Sequence, residues 1–350
     1  MTIKDRKADH IRICKEERVA PGYCYWDDIR LIHNALPEIN ADDIDMGCEL
    51  FGKELEFPLI VTAITGGFAG AKKINANIAE ACADLGIGMG VGSERAGVMG
   101  ISEESYSVIK EYDVPLVIGN IGAVQLIPQK SGQVYTEEMI DKAVEMVDAD
   151  ILAVHLNPLQ EMVQPEGDTN FEGCYEAIRQ LARRGPVMVK ETGAGISKQV
   201  AERLKGIGVQ GLDISGMGGT SFSAVEFYRA LDGNNELMAG IGDTFFDWGI
   251  PSPVSLAQCR DCSMPIIASG GVLDGIHVAS SIAMGATCAG IANIILKEAT
   301  ESAEAVKKKL TIIREELKTA MLLTGSKDLK QLSKARYVVL GETREWMEQI

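Results

Sequence analysis

Short apolar segments recur along the chain, and each is followed by a stretch with helical periodicity. The apolar segments are nearly continuous rather than alternating, which is typical of parallel strands that are covered on both faces. We therefore predict eight strands, at residues 58–63, 87–91, 115–120, 151–156, 186–191, 211–215, 265–269 and 288–293.

The segments between these strands carry apolar residues at helical spacing. In 72–85 the stripe is formed by Ile74, Ile78, Ala81, Cys82 and Leu85, which share one face of a helix. The same pattern predicts helices at 137–147, 174–182, 198–205 and 278–284, with Gly206 and Gly285 at two helix ends.

Eight strand–helix units predict a (β/α)₈ TIM barrel, with a doubly wound open sheet as the alternative. Residues 1–56 precede the first strand and are interpreted as an N-terminal arm or cap. Residues 57–321 form the predicted barrel, and 322–350 a C-terminal extension of the same domain. The long connection that contains 240–253 is interpreted as an inserted lid or interface segment.

Composition narrows the functional class. The formal net charge of −16 excludes the basic footprint of a nucleic-acid-binding protein. No apolar run approaches the roughly 20 residues that span a bilayer, and the charged N-terminus lacks a signal-peptide core. We therefore expect a cytoplasmic protein with no membrane partner. Cys259 and Cys262 have metal-ligand spacing, but no second pair completes a zinc site, so reduced thiols are predicted.

Polar and glycine residues concentrate where the predicted strands end, which is where barrel enzymes place their active sites. His155 and Asn157 flank Leu156, so both side chains can point inward. Lys190 ends another strand and could pair with an anionic ligand, form a Schiff base or make a salt bridge. The glycine-rich segments 218–221 and 269–271 favour a phosphate cradle, although simple tight turns would have the same pattern.

Two further groups fit an anionic, phosphate-bearing ligand. Glu161 follows the strand that carries His155, and one carboxylate plus phosphate oxygens is a common way to hold Mg²⁺. Arg6, Lys7 and His10 place three potential cations within five residues and could fold over a diphosphate.

Taken together, these motifs resemble the FMN-dependent type 2 isopentenyl-diphosphate delta-isomerases, from one end of the chain almost to the other. The order and spacing of the motifs carry the resemblance, since no single motif is decisive. They are 6–10, 33–38, 65–67, 92–95, 120–122, 155–161, 164–167, 190–191, 218–221, 247–251 and 269–271.

The resemblance implies a 1,3-allylic proton shift between isopentenyl and dimethylallyl diphosphate, a step of isoprenoid biosynthesis. It also implies reduced FMN as an acid–base group, NAD(P)H as reductant, Mg²⁺ on the diphosphate, and a homo-oligomer such as a tetramer or octamer. The arm and 245–248 are the interface candidates.

The same resemblance assigns roles to individual residues. The expected catalytic residues are His155, Asn157, Gln160 and Lys190, with Glu161 as the metal ligand. The expected substrate contacts are Arg6, Lys7, His10, Ser93, Glu94, Arg95 and Gln160. The expected FMN contacts are Ala63, Ile64, Thr65, Ser93, Asn120, Lys190, Ser215, Thr220, Gly271, Val272, Leu273, Ala292 and Asn293.

Five positions depart from the family pattern, namely Glu94, Ala194, Phe222, Leu273 and Asn293. Glu94 replaces a glutamine, and a carboxylate beside a diphosphate would repel it unless it were protonated or paired with Arg95. Leu273 replaces an arginine near the flavin phosphate. Two alternatives therefore stay open: a flavin oxidoreductase of the 2-hydroxy-acid-oxidising kind, and a non-catalytic flavin-binding protein.

Overall fold

The eight predicted strands form and close into a parallel barrel, as expected. A computed structural model describes residues 3–130 and 132–350. The barrel strands are β4 (Leu59–Val61), β5 (Gly88–Gly90), β6 (Val117–Gly122), β7 (Ile151–Leu156), β8 (Val187–Glu191), β9 (Gly211–Asp213), β10 (Ile266–Ala268) and β11 (Cys288–Ile291). Each pairs in parallel with its sequence neighbour, and β11 pairs with β4 to close the ring. This closure rules out the open-sheet alternative.

Helices surround the barrel and fill its connections. They are α1 (Ile3–Glu16), α2 (Ala71–Leu85), α3 (Arg95–Val98), α4 (Glu104–Ser107), α5 (Glu137–Val147), α6 (Pro158–Val163), α7 (Cys174–Ala182), α8 (Lys198–Lys205), α9 (Phe222–Asp232), α10 (Glu236–Thr244), α11 (Ser252–Cys259), α12 (Gly275–Ala283), α13 (Leu296–Glu301), α14 (Ala303–Thr324), α15 (Leu329–Leu332) and α16 (Gly341–Gln349). The predicted bounds of α5, α7 and α8 are confirmed. Helix α12 begins three residues earlier than predicted, because the Asp274 carboxylate accepts the His277 N–H and caps it there.

A hairpin plugs the amino-terminal end of the barrel. Its antiparallel strands are β2 (Cys48–Leu50) and β3 (Lys53–Leu55). Leu50 and Leu55 are buried among the first residues of the barrel strands, including Ile151 and Cys288. This end is therefore filled with apolar side chains, and any ligand must enter from the other end.

The two ends of the chain pack together and onto the barrel. Strand β1 (Ile29–Leu31) pairs antiparallel with β12 (Tyr337–Val339). Helix α1 packs on α9, where Ile13, Val19 and Val225 are buried in a small apolar cluster of their own. This contact holds α1 across the carboxyl end of the barrel.

The cysteines and the long connection 240–253 also have defined surroundings. All eight cysteines are free, and the Cys259 Sγ donates to the carbonyl of Ile196. Within the connection 240–253, Trp248 is exposed and the Met217 N–H donates to the Ile250 carbonyl. In the part of the chain that the structure describes, no helix is both long and apolar enough to cross a membrane.

Candidate active site

A cavity of about 560 Å³ opens at the carboxyl ends of the barrel strands. All but one of the residues that the sequence assigns to the site line this cavity. They are Arg6, Lys7, His10, Ala63, Ile64, Thr65, Ser93, Arg95, Asn120, His155, Asn157, Gln160, Glu161, Lys190, Ser215, Thr220, Gly271, Val272, Leu273, Ala292 and Asn293. The prediction therefore located the cavity, and the exception is Glu94.

The strand register places three polar side chains at one level of the barrel. His155 on β7 is aligned with Lys190 on β8, and Lys190 is aligned with Asp213 on β9. The Asp213 carboxylate is buried, and it accepts from the Ser269 hydroxyl and from the Ser215 N–H. Burial raises the pKa of Asp213, and the positive charge of Lys190 opposes that rise. Lys190 and Asp213 are thus buried neighbours on adjacent strands, and Lys190 Nζ donates to the Glu191 carbonyl at 2.7 Å.

Hydrogen bonds fix the tautomer of His155. Asn120 Nδ2 donates to the Val91 carbonyl, which leaves Asn120 Oδ1 to accept from His155 Nδ1 at 2.9 Å. The proton therefore lies on Nδ1, and Nε2 presents a lone pair. Burial, followed by the charge of Lys190, lowers the pKa of His155 to about 3. His155 is accordingly a neutral hydrogen-bond acceptor in this site, not a cation.

Both oxygens of the predicted metal ligand are held in place. Glu161 Oε1 accepts from Asn157 Nδ2 at 2.7 Å, and Oε2 accepts from the Asp168 N–H at 2.7 Å. Burial raises the pKa of Glu161, and these two hydrogen bonds oppose the rise. Each carboxylate oxygen keeps a further lone pair, so the group remains able to bind a cation.

Helix α1 brings its cations over the cavity. Lys7 Nζ donates to the Ser93 carbonyl at 2.6 Å and to the Tyr106 hydroxyl at 2.7 Å. Burial, followed by the charge of Arg6, lowers the pKa of Lys7 to about 7. A Cβ on Gly66 would lie 2.0 Å from the Tyr106 ring, so glycine is needed there for Tyr106 to reach Lys7.

Glu94 corrects one sequence-based assignment, because it does not line the cavity. Its side chain is fully buried, and Oε1 accepts the Asn120 N–H at 2.6 Å. Burial raises the pKa of Glu94 to about 8, so the group is a neutral acid at neutral pH. Arg95 pairs with Asp168 at 2.7 Å instead of with Glu94. The predicted repulsion of a diphosphate is therefore avoided by burial and protonation.

The two glycine-rich segments meet and form one surface of the cavity. A Cβ on Gly219 would lie 2.8 Å from the Gly271 nitrogen, and a Cβ on Gly271 would lie 2.7 Å from the Gly218 carbonyl carbon. Gly218 and Gly271 also have positive φ angles of 138° and 77°. Only glycine permits this close approach, and glycine-rich turns of this kind can present backbone N–H groups to an anion.

Beside this surface, Cys24, Asp27 and His277 bring potential metal-ligand atoms within 4.8 Å of one another. His277 Nδ1 accepts the Leu273 N–H at 3.2 Å, so the ring proton lies on Nε2. That proton is donated to Asp27 Oδ1 at 3.2 Å. The cluster is therefore explained by hydrogen bonds without a metal.

Three side chains of the site are not predicted from the sequence. Gln125 lines the cavity, and its buried Oε1 has no hydrogen-bond partner among the described residues. Its position just after β6 could have indicated it. Tyr106 and Asp168 act through Lys7 and Arg95, contacts between residues far apart in the chain that no local pattern reveals.

Comparison with known sequences shows close relatives. The chain is 46% identical over 347 residues to an isopentenyl-diphosphate delta-isomerase of Thermoplasma volcanium, covering 99% of each chain. It is 45% identical over 353 residues to the enzyme of the same name from Archaeoglobus fulgidus, again covering 99% of each.

The wider family is also evident. Residues 152–339 match the family model for FMN-dependent dehydrogenases. Among solved structures, a lactate oxidase of Pediococcus acidilactici superimposes with a TM-score of 0.66 at 16% identity, covering 90% of this chain and 84% of that one. A mandelate oxidase gives 0.63 at 16% identity, covering 96% and 97%. These two likenesses show the shared fold alone. The chain belongs to the FMN-dependent, type 2 family of isopentenyl-diphosphate delta-isomerases.

Proposed function

We propose that this chain interconverts isopentenyl diphosphate and dimethylallyl diphosphate by a 1,3-allylic proton shift. The observation that carries the proposal is one cavity with two kinds of wall. Glycine backbone from the turns after β9 and β10 forms one side, and cations with a held carboxylate form the other. Such a cavity suits a flavin phosphate on the first side and a diphosphate on the second.

The residues fit FMN. The glycine surface leaves no room for side chains, and the backbone N–H groups of such a turn are a common phosphate-binding group. We infer that Gly271, Val272, Leu273, Ala292 and Asn293 hold the phosphate end of the cofactor. The FMN contacts nearer the flavin ring are the lining residues Ala63, Ile64, Thr65, Ser93, Asn120, Lys190, Ser215 and Thr220. Reduced FMN would supply an acid–base group at a ring nitrogen, and NADH or NADPH would be the reductant.

The opposite wall fits a diphosphate with Mg²⁺. Arg6, Lys7 and Arg95 supply positive charge, and His10 on α1 is held by a 2.8 Å hydrogen bond to Glu226. Glu161 would take the metal, since Mg²⁺ in phosphate sites is usually held by one or two carboxylates together with phosphate oxygens. Binding the diphosphate at this wall would leave the hydrocarbon part of the substrate free to extend toward His155.

The remaining residues position the reacting carbons. The isomerisation adds a proton to the terminal methylene and removes one from C2, so no net proton or electron is consumed. His155, neutral and with Nε2 as an acceptor, can receive a hydrogen bond but holds no second proton to give. Gln160 and Asn157 flank the same part of the cavity. We infer that these three side chains orient the substrate, and that Lys190 contacts the flavin.

An anaerobic assay tests the activity. Protein is mixed with FMN, NADPH or dithionite, Mg²⁺ and isopentenyl diphosphate, and dimethylallyl diphosphate is sought by chromatography with mass detection. Product that disappears without FMN or without reductant would support the proposal. Bound flavin without product would favour the non-catalytic alternative, and flavin reduction by a 2-hydroxy acid would favour the oxidoreductase.

The metal assignment has its own test. Glu161→Ala is expected to abolish Mg²⁺-dependent activity while FMN still binds, because Glu161 lies on the diphosphate side of the cavity. Glu172→Ala removes the same charge from an exposed position and is the matched control. An Mg²⁺ titration that is unchanged in Glu161→Ala would remove Glu161 from the metal site.

Assembly and location complete the proposal. We infer a homo-oligomer, a tetramer or an octamer, that uses the arm and the segment 245–248, where Trp248 is 62% exposed. Light scattering of the purified protein would measure the mass of the assembly. We also infer a cytoplasmic location.

A further inference from the structure

Asp168 connects the two charged groups on the diphosphate side of the cavity. Its carboxylate oxygen Oδ2 accepts from Arg95 Nη1 at 2.7 Å, and its backbone N–H donates to Glu161 Oε2 at 2.7 Å. The Asp168 side chain is 8% exposed and does not line the cavity, whereas Arg95 and Glu161 do. Asp168 therefore acts on a ligand through its two neighbours.

The turn after α6 is built to bring Asp168 to this point. The Gly167 N–H donates to the Gln164 carbonyl at 3.0 Å, and a Cβ on Gly167 would lie 1.8 Å from the Glu161 carbonyl oxygen. The chain can fold back so closely over α6 only because residue 167 is glycine. Glu166 in the same turn pairs with Arg229 of α9 at 2.7 Å, which anchors the turn from the outside.

The pairing has a consequence for the charge of the site. Among the described residues, the Arg95 guanidinium is hydrogen-bonded and ion-paired to Asp168 alone. The Asp168 carboxylate therefore offsets the charge of Arg95, and Arg6 is a second arginine near Glu161. Because Asp168 offsets Arg95, the cations left to attract a free diphosphate are those of α1, and the Glu161 carboxylate repels the free anion. A divalent cation on the diphosphate would reduce this repulsion and give Glu161 a group to bind.

We propose that Asp168 makes this site select the Mg²⁺ complex of the diphosphate over the free diphosphate anion. The proposal rests on the proposed function, since it assumes that a diphosphate binds between Arg95 and Glu161. Asp168 is a positioning and charge-balancing residue. Its carboxylate cancels the charge of Arg95 while keeping the guanidinium aimed at the cavity, and its N–H holds Glu161 for the metal.

Asp168→Asn separates charge from geometry. The side-chain amide has nearly the same shape, its oxygen can still accept from Arg95, and the backbone N–H to Glu161 remains. Only the negative charge is lost. The variant should therefore bind free diphosphate more tightly and gain less from Mg²⁺.

The test is calorimetry of inorganic pyrophosphate binding to the FMN-loaded protein, with Mg²⁺ and with EDTA. The measured quantity is the ratio of the dissociation constant in EDTA to that in Mg²⁺. We expect the ratio to fall about tenfold in Asp168→Asn, which corresponds to about 1.4 kcal/mol. Asp113→Asn removes the same charge from an exposed position before β6, at the other end of the barrel, and should leave the ratio unchanged.

Arg95→Met provides the opposite perturbation, because it leaves the charge of Asp168 unbalanced. The ratio should rise in Arg95→Met and return toward the wild-type value when Asp168→Asn is added. If Asp168 had a purely structural role, the ratio would not fall in Asp168→Asn and rise in Arg95→Met. The double variant would then also not return toward the wild-type ratio.

The outcomes are distinct. An unchanged ratio in Asp168→Asn with normal FMN binding would overturn the proposal and leave the proposed function standing. If Asp168→Asn fails to fold, the ratio in Arg95→Met decides, and no rise there would overturn the proposal. Wild-type protein that binds pyrophosphate in neither condition would overturn the diphosphate site itself, and this proposal with it.

Discussion

Replacing Glu94 by glutamine is expected to stabilise the protein at alkaline pH while changing its stability little at pH 5. The Glu94 side chain is fully buried, and burial raises its pKa to about 8, against an ordinary value of 4.5. The charge of Lys7 and the Asn120 N–H oppose this rise without cancelling it. Ionising Glu94 in the folded protein is therefore costly.

The sign and size of the effect follow from proton linkage. Between pH 4.5 and pH 8 the unfolded chain releases the Glu94 proton and the folded protein keeps it, so the free energy of unfolding falls as the pH rises. Each pH unit in this range lowers the free energy of unfolding by about 1.4 kcal/mol. The loss between pH 5 and pH 8 is therefore up to about 4 kcal/mol, and above pH 8 it stays constant.

Glutamine removes this dependence without removing the hydrogen bond. Its Oε1 can accept the Asn120 N–H, and it does not ionise. The neutral acid and the amide each leave one buried polar atom without a partner among the described residues, because Glu94 Oε2 has none. The two proteins should therefore be similar at pH 5 and should diverge as the pH rises.

Urea unfolding of both proteins without FMN, at pH 5, 7 and 9, measures the difference between their free energies of unfolding. The contributions of the other titrating groups to the free energy of unfolding largely cancel in that difference. Glu301→Gln, at an exposed position, is the control and should show no divergence. A Glu94→Gln difference that stays constant from pH 5 to pH 9 would refute the reasoning, since it would mean that the buried carboxylate ionises freely.

Three further predictions concern the cavity. Because the pKa of Lys7 is about 7, its ammonium loses its proton as the pH rises toward 9. Pyrophosphate affinity measured by calorimetry should therefore fall several-fold more over this range in wild type than in Lys7→Gln. An equal fall of affinity with pH in the two proteins would contradict this prediction. Gly271→Ala should weaken FMN binding at least tenfold in fluorescence titrations (roughly 1.4 kcal/mol), because the added Cβ would clash with Gly218. Gly185→Ala is the control and should leave FMN binding unchanged, since a Cβ there meets nothing within 4 Å. Equal losses of FMN affinity in the two variants would count against a phosphate cradle at Gly271. Nitrogen NMR should show His155 neutral with the proton on Nδ1 from pH 5 to pH 8, and a charged ring in that range would disprove the assigned hydrogen bond.

The barrel could be predicted because its signal is local and repeated. Each strand is a short apolar run that ends in glycine or a polar residue, and each helix has its own apolar stripe. In the closed ring the neighbouring parallel strands β7 and β8 lie side by side, and their register aligns His155 with Lys190. Predicted and observed bounds of these elements differ only at their ends, as at α12, which begins earlier because Asp274 caps it.

The parts that could not be predicted depend on contacts between distant residues. The Arg95–Asp168 pair joins positions 73 apart, and the bond between Lys7 and Tyr106 joins positions 99 apart. Glu94 follows a strand just as the cavity residues do, so its position indicated a side chain at the ligand. Only the tertiary structure shows that its carboxyl turns to the backbone of Asn120 on the next strand.

Two departures from the family pattern, Glu94 and Leu273, concern groups near the ligand that could carry charge, and this bears on whether the protein is a catalyst or only binds flavin. Glu94 is neutral at pH 7 and accepts the Asn120 N–H, which a glutamine oxygen would also accept. Leu273 is 45% exposed, and its backbone N–H donates to His277 Nδ1, which holds this turn in place. Neither replacement removes a cavity wall or a diphosphate-side cation. A protein that had kept only flavin binding would have no need of the arrangement in which Asp168 holds Glu161 and Arg95 together, so the intact geometry on that side favours a working isomerase.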